Sequence, residues 1–316
     1  MRIAVLLPCY NEELTIEKVI RDFQRELPEA KIYVYDNNSV DSTADIARRC
    51  GAVVKQEKLQ GKGNVVRSMF RDVDADVYVM ADGDDTYPAE FVHELIRPIV
   101  DQEADMVMGD RHSNGSYLQE NKRPMHNFGN QLVKTLINKL FNCDLHDIMT
   151  GYRAFNRDFV KNTPIQSEGF EIETEMTLHA LDKRFVIEEI PIEYRDRPEG
   201  SYSKLNTLSD GIRVVKTVFW IFKDYKPLAF FGVLSVILLL LGLAVGLPVV
   251  YEFLQTHKIA KIPSAILAVG LVLLATTSLT SGLILDTIVK QHKDVYQLLR
   301  NRLPGRPLER EAGDKP

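Results

Sequence analysis

Two stretches without a charged residue, Pro227 to Tyr251 and Ile262 to Leu285, constrain this 316-residue chain more than anything else in it. As helices rising about 1.5 Å per residue, either can cross a hydrocarbon layer of roughly 30 Å. The 226 residues before them are patterned like a soluble protein, so the sequence predicts a globular head on a membrane anchor. Neither stretch is a signal peptide. The N-terminal run MRIAVLLPCYNEE breaks at Pro8 and soon meets Glu12 and Glu13, and it reads as a first buried strand. Cys9, Cys50 and Cys143 are scattered without metal-ligand or redox spacing and read as reduced thiols of a cytoplasmic head.

A net charge of −5 and a pI near 5.9 give no reason to expect a nucleic-acid partner. Arg213, Lys216, Lys223 and Lys226 precede the first stretch, Lys290, Lys293 and Arg300 follow the second, and the connector holds only Lys258 and Lys261. Basic flanks favour the cytoplasmic side, so a multi-pass protein of the cell membrane is expected, with head and both termini inside and the connector outside. Between Leu205 and Lys226, Leu208, Ile212, Val215, Phe219 and Phe222 recur at helical spacing with basic residues between them. That pattern fits an amphipathic helix lying on the lipid surface or packed on the head. The expected division is a catalytic domain over 1–204, a juxtamembrane helix over 205–226 and spans over 227–251 and 262–285. A connector occupies 252–261, and a partly disordered cytoplasmic tail 286–316.

Within the head, Ile3–Leu7, Ile32–Tyr35, Val53–Val54, Val77–Met80 and Met106–Met108 are short apolar runs separated by helical patterns such as Leu14, Ile16, Val19, Ile20 and Phe23. The expected fold class is α/β, a mostly parallel central sheet covered by helices, with its ligand site at the strand ends. Three of those ends are polar: Pro8 to Glu13, Asp36 to Thr43, and Asp82 to Asp85. Each alone fits a capped loop, but together at one sheet edge they favour a site. GxxxxGK[ST] and GxGxxG are absent, which argues against an ATPase or a nicotinamide enzyme, while Gly61-Lys62-Gly63-Asn64 fits either a plain turn or a phosphate contact.

Asp82-Gly83-Asp84 follows a buried-strand pattern directly. Two carboxylates flanking a glycine suit Mg²⁺ or Mn²⁺ holding nucleotide phosphates; the alternative is an acidic turn. Lys62 and Arg111 are candidate phosphate contacts, and Asn11, Asp36 and Lys58 offer polar recognition groups from neighbouring loops. Glu171, Glu173 and Glu175 read either as a solvated helix terminus or as one sugar-facing carboxylate, and His146 and His179 as local polar residues.

The motifs PCYNEE at 8–13, VYDNNSVDST at 34–43, GKGN at 61–64, ADGDDTYP at 81–88, MGDR at 108–111, DIMTGYRAF at 147–155 and RPEGSYSK at 197–204 resemble family 2 glycosyltransferases with the GT-A fold. The whole chain resembles the polyprenyl-phosphate glycosyltransferases of the dolichyl-phosphate mannose synthase and bactoprenol glucosyltransferase group. The resemblance implies transfer of one sugar from a nucleotide-sugar donor to polyprenyl phosphate. It implies that Pro8, Tyr10, Glu12 and Asp36 border the nucleoside, that Asn11, Asn38 and Lys58 also bind the nucleotide sugar, and that Lys62 lies near the phosphates with Asp82 and Asp84 holding Mg²⁺ or Mn²⁺. Asp84, Arg111, Asp147 and Arg153 are the implied catalytic residues, and Arg111, Arg153, Arg197, Ser203 and Lys204 the implied acceptor or phosphate contacts. Thr86 stands where relatives often carry a glutamine ligand and Asn37 where many carry a second aspartate. A homo-oligomer, a tetramer by resemblance, is a further expectation.

A polyprenyl phosphate already carries an anionic oxygen, so its attack on the anomeric carbon inverts configuration without a strong general base. UDP-hexose or UDP-N-acetylhexosamine is the preferred donor, with GDP-mannose as the alternative. A processive polysaccharide synthase is disfavoured by two spans and no QxxRW, and an inactive scaffold by the intact Asp82, Asp84, Lys62 and Arg111.

Overall fold

A computed structural model describes residues 1–113, 124–169, 171–197, 219–258 and 261–300. The chain divides into two compact units, Met1–Thr217 and Val218–Pro316.

The first unit is built on seven strands: β1 (Ile3–Cys9), β2 (Lys31–Asp36), β3 (Val53–Gln56), β4 (Val77–Met80), β5 (Met106–Asp110), β6 (Arg153–Asn156) and β7 (Ile187–Pro191). They lie in the order β3-β2-β1-β4-β6-β5-β7, and every pairing is parallel except those of β6. The expected mostly parallel sheet is thus present, with β6 and β7 added to it. Helices α1 (Ile16–Glu26), α2 (Thr43–Arg49), α3 (Lys62–Asp72) and α4 (Val92–Val100) lie between or beside the parallel strands. In α1, Ile16, Val19, Ile20 and Phe23 recur at three- and four-residue steps and are all buried, which seats the helix on the sheet. Covered on both faces, β1 and β4 are apolar almost throughout, as buried parallel strands are. Among the described residues three more helices follow, α5 (Pro124–Phe141), α6 (Arg157–Asn162) and α7 (Ile172–Lys183).

Two features of this topology create the site. The strand order reverses between β1 and β4, and an α/β sheet opens a crevice at the carboxyl ends of such strands. Antiparallel β6 then brings its first residue, Arg153, beside Met80 and Met108. The 147–153 segment therefore enters at the edge where β4 and β5 finish.

The second unit contains residues 219–225, which are helical, and the helices α8 (Pro227–Thr256) and α9 (Ile262–Arg300). Both α8 and α9 are long and apolar enough to cross a membrane. They pair through reciprocal bonds, Ser235 Oγ donating to the Ala275 carbonyl at 2.8 Å and Ser278 Oγ to the Phe231 carbonyl at 3.0 Å. Small hydroxyl residues let membrane helices approach while satisfying their own polar atoms. His257, left-handed at φ 53, stops α8 five residues beyond the expected Tyr251. Helix α9 does not stop at Leu285 but continues to Arg300, so the expected tail begins as helix. Residues 286–300 contain neither glycine nor proline, and Asp286 pairs with Lys290 one turn on at 2.7 Å. Most of the amphipathic helix expected over 205–226 lies outside the described residues.

Candidate active site

The side of the crevice formed by the loops after β1 and β2 is a lattice of loop-to-loop bonds. Asn11, left-handed at φ 54, accepts from the Val40 backbone N–H with its side-chain oxygen at 2.9 Å and donates its own N–H to Ser39 Oγ. The Glu12 N–H donates to Thr43 Oγ1 at 2.8 Å. Asn38, at φ 63, donates from Nδ2 to the Lys58 carbonyl at 3.0 Å. The side chains of Asn11 and Asn38 therefore bind the loops together, while Pro8 is buried in β1 and Tyr10 and Lys58 are exposed. Asp36 differs from its neighbours. It is buried, Oδ2 accepts from the Ser39 N–H, and Oδ1 has no hydrogen-bond partner among the described residues. A buried carboxylate oxygen without a donor is costly, and a ligand N–H or hydroxyl is the group that would satisfy it.

The structure also gives a reason for the amide at Asn37. Its Nδ2 donates to the carbonyls of Glu57 at 3.1 Å and Leu59 at 2.8 Å, while its Oδ1 accepts from the Gly61 N–H at 2.7 Å. A carboxylate cannot make the first two bonds and would stand next to Asp36. Asn37→Asp is therefore expected to destabilise the head by about 2–4 kcal/mol, read as a lowered unfolding temperature in detergent.

Lys62 opens α3 beneath this lattice. Gly61 sits at φ 129, and a Cβ there would stand 2.1 Å from the Glu168 carbonyl oxygen, so the backbone of the 165–169 segment presses on the start of the helix. The glycines of GKGN thus permit a close backbone approach, and the lysine faces acid. Lys62 Nζ lies 2.5 Å from Asp82 Oδ1 and 2.6 Å from Glu173 Oε1. Burial opposes the ammonium charge, but the Asp82 and Glu173 carboxylates outweigh it and hold its pKa above the ordinary lysine value. Of the three glutamates on α7 and its cap, Glu173 faces this site, whereas Glu175 accepts from the N–H groups of Gln166 and Ser167 and fixes their loop.

Asp84 is 3 % exposed. Its Oδ1 accepts from Thr86 Oγ1 at 2.7 Å, so Thr86 orients the carboxylate, and its Oδ2 pairs with the Arg197 guanidinium. Burial and the neighbouring Asp82 push the Asp84 pKa up, in spite of Arg197. Asp82 in turn touches the distal motif: a Cβ on Gly151 would stand 2.6 Å from Asp82 Oδ2. DIMTGYRAF and ADGDDTYP therefore meet in one place.

Asp147 lies against Arg111 in a buried two-pronged pair, Nε to Oδ2 at 2.6 Å and a terminal nitrogen to Oδ1 at 2.9 Å. The other terminal nitrogen donates to the Tyr87 hydroxyl at 3.3 Å, and the guanidinium carbon lies 5.4 Å from the Tyr194 ring centre. Burial works against the Asp147 charge, yet Arg111 holds its pKa below the usual aspartate value. Glu189 on β7 accepts from the N–H groups of His146 and Asp147 at 2.8–2.9 Å, and the Tyr87 hydroxyl accepts from the Gly151 N–H at 2.9 Å.

Arg153, read from sequence as an acceptor-phosphate contact, has no exposed surface. Its guanidinium donates to the carbonyls of Thr150 at 2.9 Å and Ile148 at 2.6 Å and to Thr177 Oγ1 at 3.0 Å. Burial lowers its pKa to about 10. In this arrangement it holds the 148–150 backbone from below and presents no donor to the crevice surface. The antiparallel placement of β6, which points its first side chain under the loop, is the reason. Ser203 and Lys204 lie outside the described residues. Tyr87, Glu189 and Tyr194 join this cluster without being singled out by the sequence; Tyr87 lies inside ADGDDTYP and Tyr194 just before RPEGSYSK, but nothing in the sequence marks their rings as walls for Arg111.

Asp82 and Asp84 fit a hard divalent cation by the chemistry of their donor set: oxygen ligands flanking one glycine, each already holding a positive group of this chain. Among the described residues no group of three His, Cys, Asp or Glu side chains is gathered for a metal, so such an ion would complete its shell from substrate oxygens and water.

The sequence model described as Glycosyl transferase family 2 matches residues 4–163. Glycosyltransferase AglJ of Haloferax volcanii is 30 % identical over 296 residues, covering 92 % of this chain and 95 % of that protein. A dolichyl-phosphate hexose transferase of the same organism is 30 % identical over 216 residues, 68 % of this chain and 92 % of its own length. Among solved structures, glucosyl-3-phosphoglycerate synthase from Mycobacterium tuberculosis, in complex with Mn²⁺, UDP and glucosyl-3-phosphoglycerate, superposes with a TM-score of 0.55 at 20 % identity, covering 71 % of this chain and 79 % of that one; at that identity the likeness concerns the fold. With the sheet, the crevice and these matches in agreement, the chain belongs to glycosyl transferase family 2.

Proposed function

We propose that this protein transfers one sugar from a nucleoside diphosphate sugar to polyprenyl phosphate at the cytoplasmic membrane face, with inversion at the anomeric carbon. The observation that carries the proposal is the meeting of Asp82, Asp84, Lys62 and Arg197 with the Gly151 loop in a chain that also has two helices able to cross a bilayer. A lipid acceptor fits the name of the dolichyl-phosphate hexose transferase relative. The Mn²⁺ and UDP of the structural neighbour fit a metal-assisted UDP-hexose or UDP-N-acetylhexosamine donor. The basic residues flanking the two helices support a head on the cytoplasmic side.

On this reading Asp36 receives a donor group of the nucleoside, and Asp82 and Asp84 hold the divalent ion. When bound, that ion neutralises charge on the departing diphosphate. Lys62 and Arg197 contribute positive charge to the same leaving group. The attacking phosphate oxygen is anionic at neutral pH, so Asp147, held ionised by Arg111, has no proton to remove from it. Asp147 and Glu189 position the loop against which the acceptor phosphate lies, Arg111 lends it a positive wall, and Arg153 keeps the loop backbone in place.

A panel of radiolabelled UDP- and GDP-sugars, offered with polyprenyl phosphate and Mn²⁺ or Mg²⁺, tests this. Label is expected in the organic phase with one donor class and is expected to vanish with a chelator. Label that stays in water with every donor overturns the lipid acceptor, and undiminished transfer in chelator overturns the metal.

A further inference from the structure

Both carboxylates of the Asp82-Gly83-Asp84 pair are already engaged by cations of the chain itself. Lys62 bridges Asp82 and Glu173 at 2.5 and 2.6 Å, and the Arg197 guanidinium sits on Asp84. Lys62 is nearly enclosed, with 10 % of its side chain exposed, so its charge is held where few groups besides those two carboxylates can meet it. Arg197 is more exposed, with 28 % of its side chain accessible.

We propose that Lys62 and Arg197 are exchangeable counter-ions that couple metal binding to donor binding: each leaves its carboxylate for the donor diphosphate as the divalent ion takes the carboxylate. This inference deepens the function proposed above and rests on it. The local charge supports it. Three carboxylates face two cations, an excess of one negative charge. A divalent ion entering alone reverses that to an excess of one positive charge, with an ammonium and a guanidinium pressed against the ion in a partly dry crevice. About two negative charges from a nucleoside diphosphate sugar bring the excess back to one negative, and diphosphate oxygens accept from both displaced donors. Metal alone therefore binds weakly, and metal with diphosphate binds tightly. Thermodynamic reciprocity requires the metal to tighten the nucleotide by the same factor.

The two cations differ in what they can do. Lys62 is fixed by α3 and keeps Glu173 when Asp82 is taken by metal, so its movement is a shift between neighbours. Arg197 has a guanidinium fork suited to two phosphate oxygens, and its release from Asp84 uncovers the more deeply buried carboxylate. Arg197 is thus the principal element of the coupling, and its role on Asp84 in the ligand-free state is separate from any contact it makes with phosphate.

The test is Mn²⁺ binding to the full chain in detergent, followed by the electron paramagnetic resonance of free Mn²⁺, without nucleotide and with saturating UDP or GDP. In the wild type the nucleotide is expected to tighten Mn²⁺ about tenfold or more, within the range of couplings between linked sites. Arg197→Gln is expected to bind Mn²⁺ alone several-fold more tightly and to lose most of the nucleotide effect, whereas Arg197→Lys retains the charge and much of the coupling. Arg197 is partly exposed, so the glutamine variant is expected to fold, and its unfolding temperature serves as the control. Mn²⁺ binding equally tight with and without nucleotide, or metal-only affinity in Arg197→Gln no better than wild type, overturns the exchange while leaving the metal-dependent reading intact. Absence of UDP and GDP binding under every condition overturns that reading and the inference together.

Discussion

Asp84→Asn is expected to lower the rate of sugar transfer by about a thousandfold, roughly 4 kcal/mol of barrier, with the head still folded. The substitution keeps the shape and the acceptor for Thr86 Oγ1, whose 2.7 Å bond orients the group, but removes the charge proposed to hold the cation. Stability is expected to change little. The wild-type carboxylate is buried beside Asp82, which makes its charge unfavourable in the ligand-free state, and Arg197, its partner, is exposed enough to regain water. A large loss of turnover without a matching loss of unfolding temperature separates chemistry from architecture. Turnover within a few-fold of wild type would remove Asp84 from the metal site.

The second large effect concerns the Arg111–Asp147 pair. Arg111→Met leaves a carboxylate only 2 % exposed without its two-pronged partner, and breaking a buried pair from one side typically costs about 3–5 kcal/mol. The double variant Arg111→Met/Asp147→Leu is expected to recover most of that stability, because two apolar groups replace both charges, but not transfer. The pH dependence has a definite sign. In the wild type the folded pKa of Asp147 is depressed, so its contribution to stability is complete above the ordinary aspartate value of 3.8 and is lost as pH falls below it. In Arg111→Met burial acts on Asp147 with its main opponent gone, the folded pKa rises above 3.8, and that variant gains stability from this group as the pH falls. Thermal unfolding of both proteins across mildly acidic pH reads the reversal directly.

The frame of the head was legible because its physics is repetitive. Strands covered on both faces must be apolar, and β1 to β5 each display a short apolar run followed by polar residues at the same sheet edge. The two strands that were not read lack that pattern for identifiable reasons. Strand β6 begins with Arg153, whose charge is buried against the carbonyl oxygens of Ile148 and Thr150 in the loop just before it, and β7 is a half-buried edge strand carrying two glutamates and ending in Pro191. Antiparallel insertion of β6 could not be inferred from four residues, and with it went the location of Arg153.

Within the candidate site, the loops that the sequence marks do gather at the crevice, but several of their side chains make contacts that the sequence does not show. Asn11 and Asn38 lie in the polar segments that gather at the crevice, but their side chains bind loop to loop. Asn37, read as a departure from a family pattern, is required by two carbonyls at positions 57 and 59 that only an amide can serve. Lys62 was expected near phosphate and is found between two carboxylates, the position from which a counter-ion would be released to phosphate. The two apolar helices were visible from composition alone; the continuation of α9 through Lys290 and Lys293 was not, because a hydropathy boundary marks where a helix changes solvent and not where its backbone ends.

The mass of the lipid product is the most direct measurement. Polyprenyl phosphate incubated with the full chain, Mn²⁺ or Mg²⁺ and the matching sugar nucleotide is expected to gain one glycosyl residue, with one nucleoside diphosphate released for each lipid modified. Unchanged lipid across the full set of UDP- and GDP-sugars, or a ladder of many residues on one lipid, would contradict transfer of a single sugar to a membrane-held phosphate.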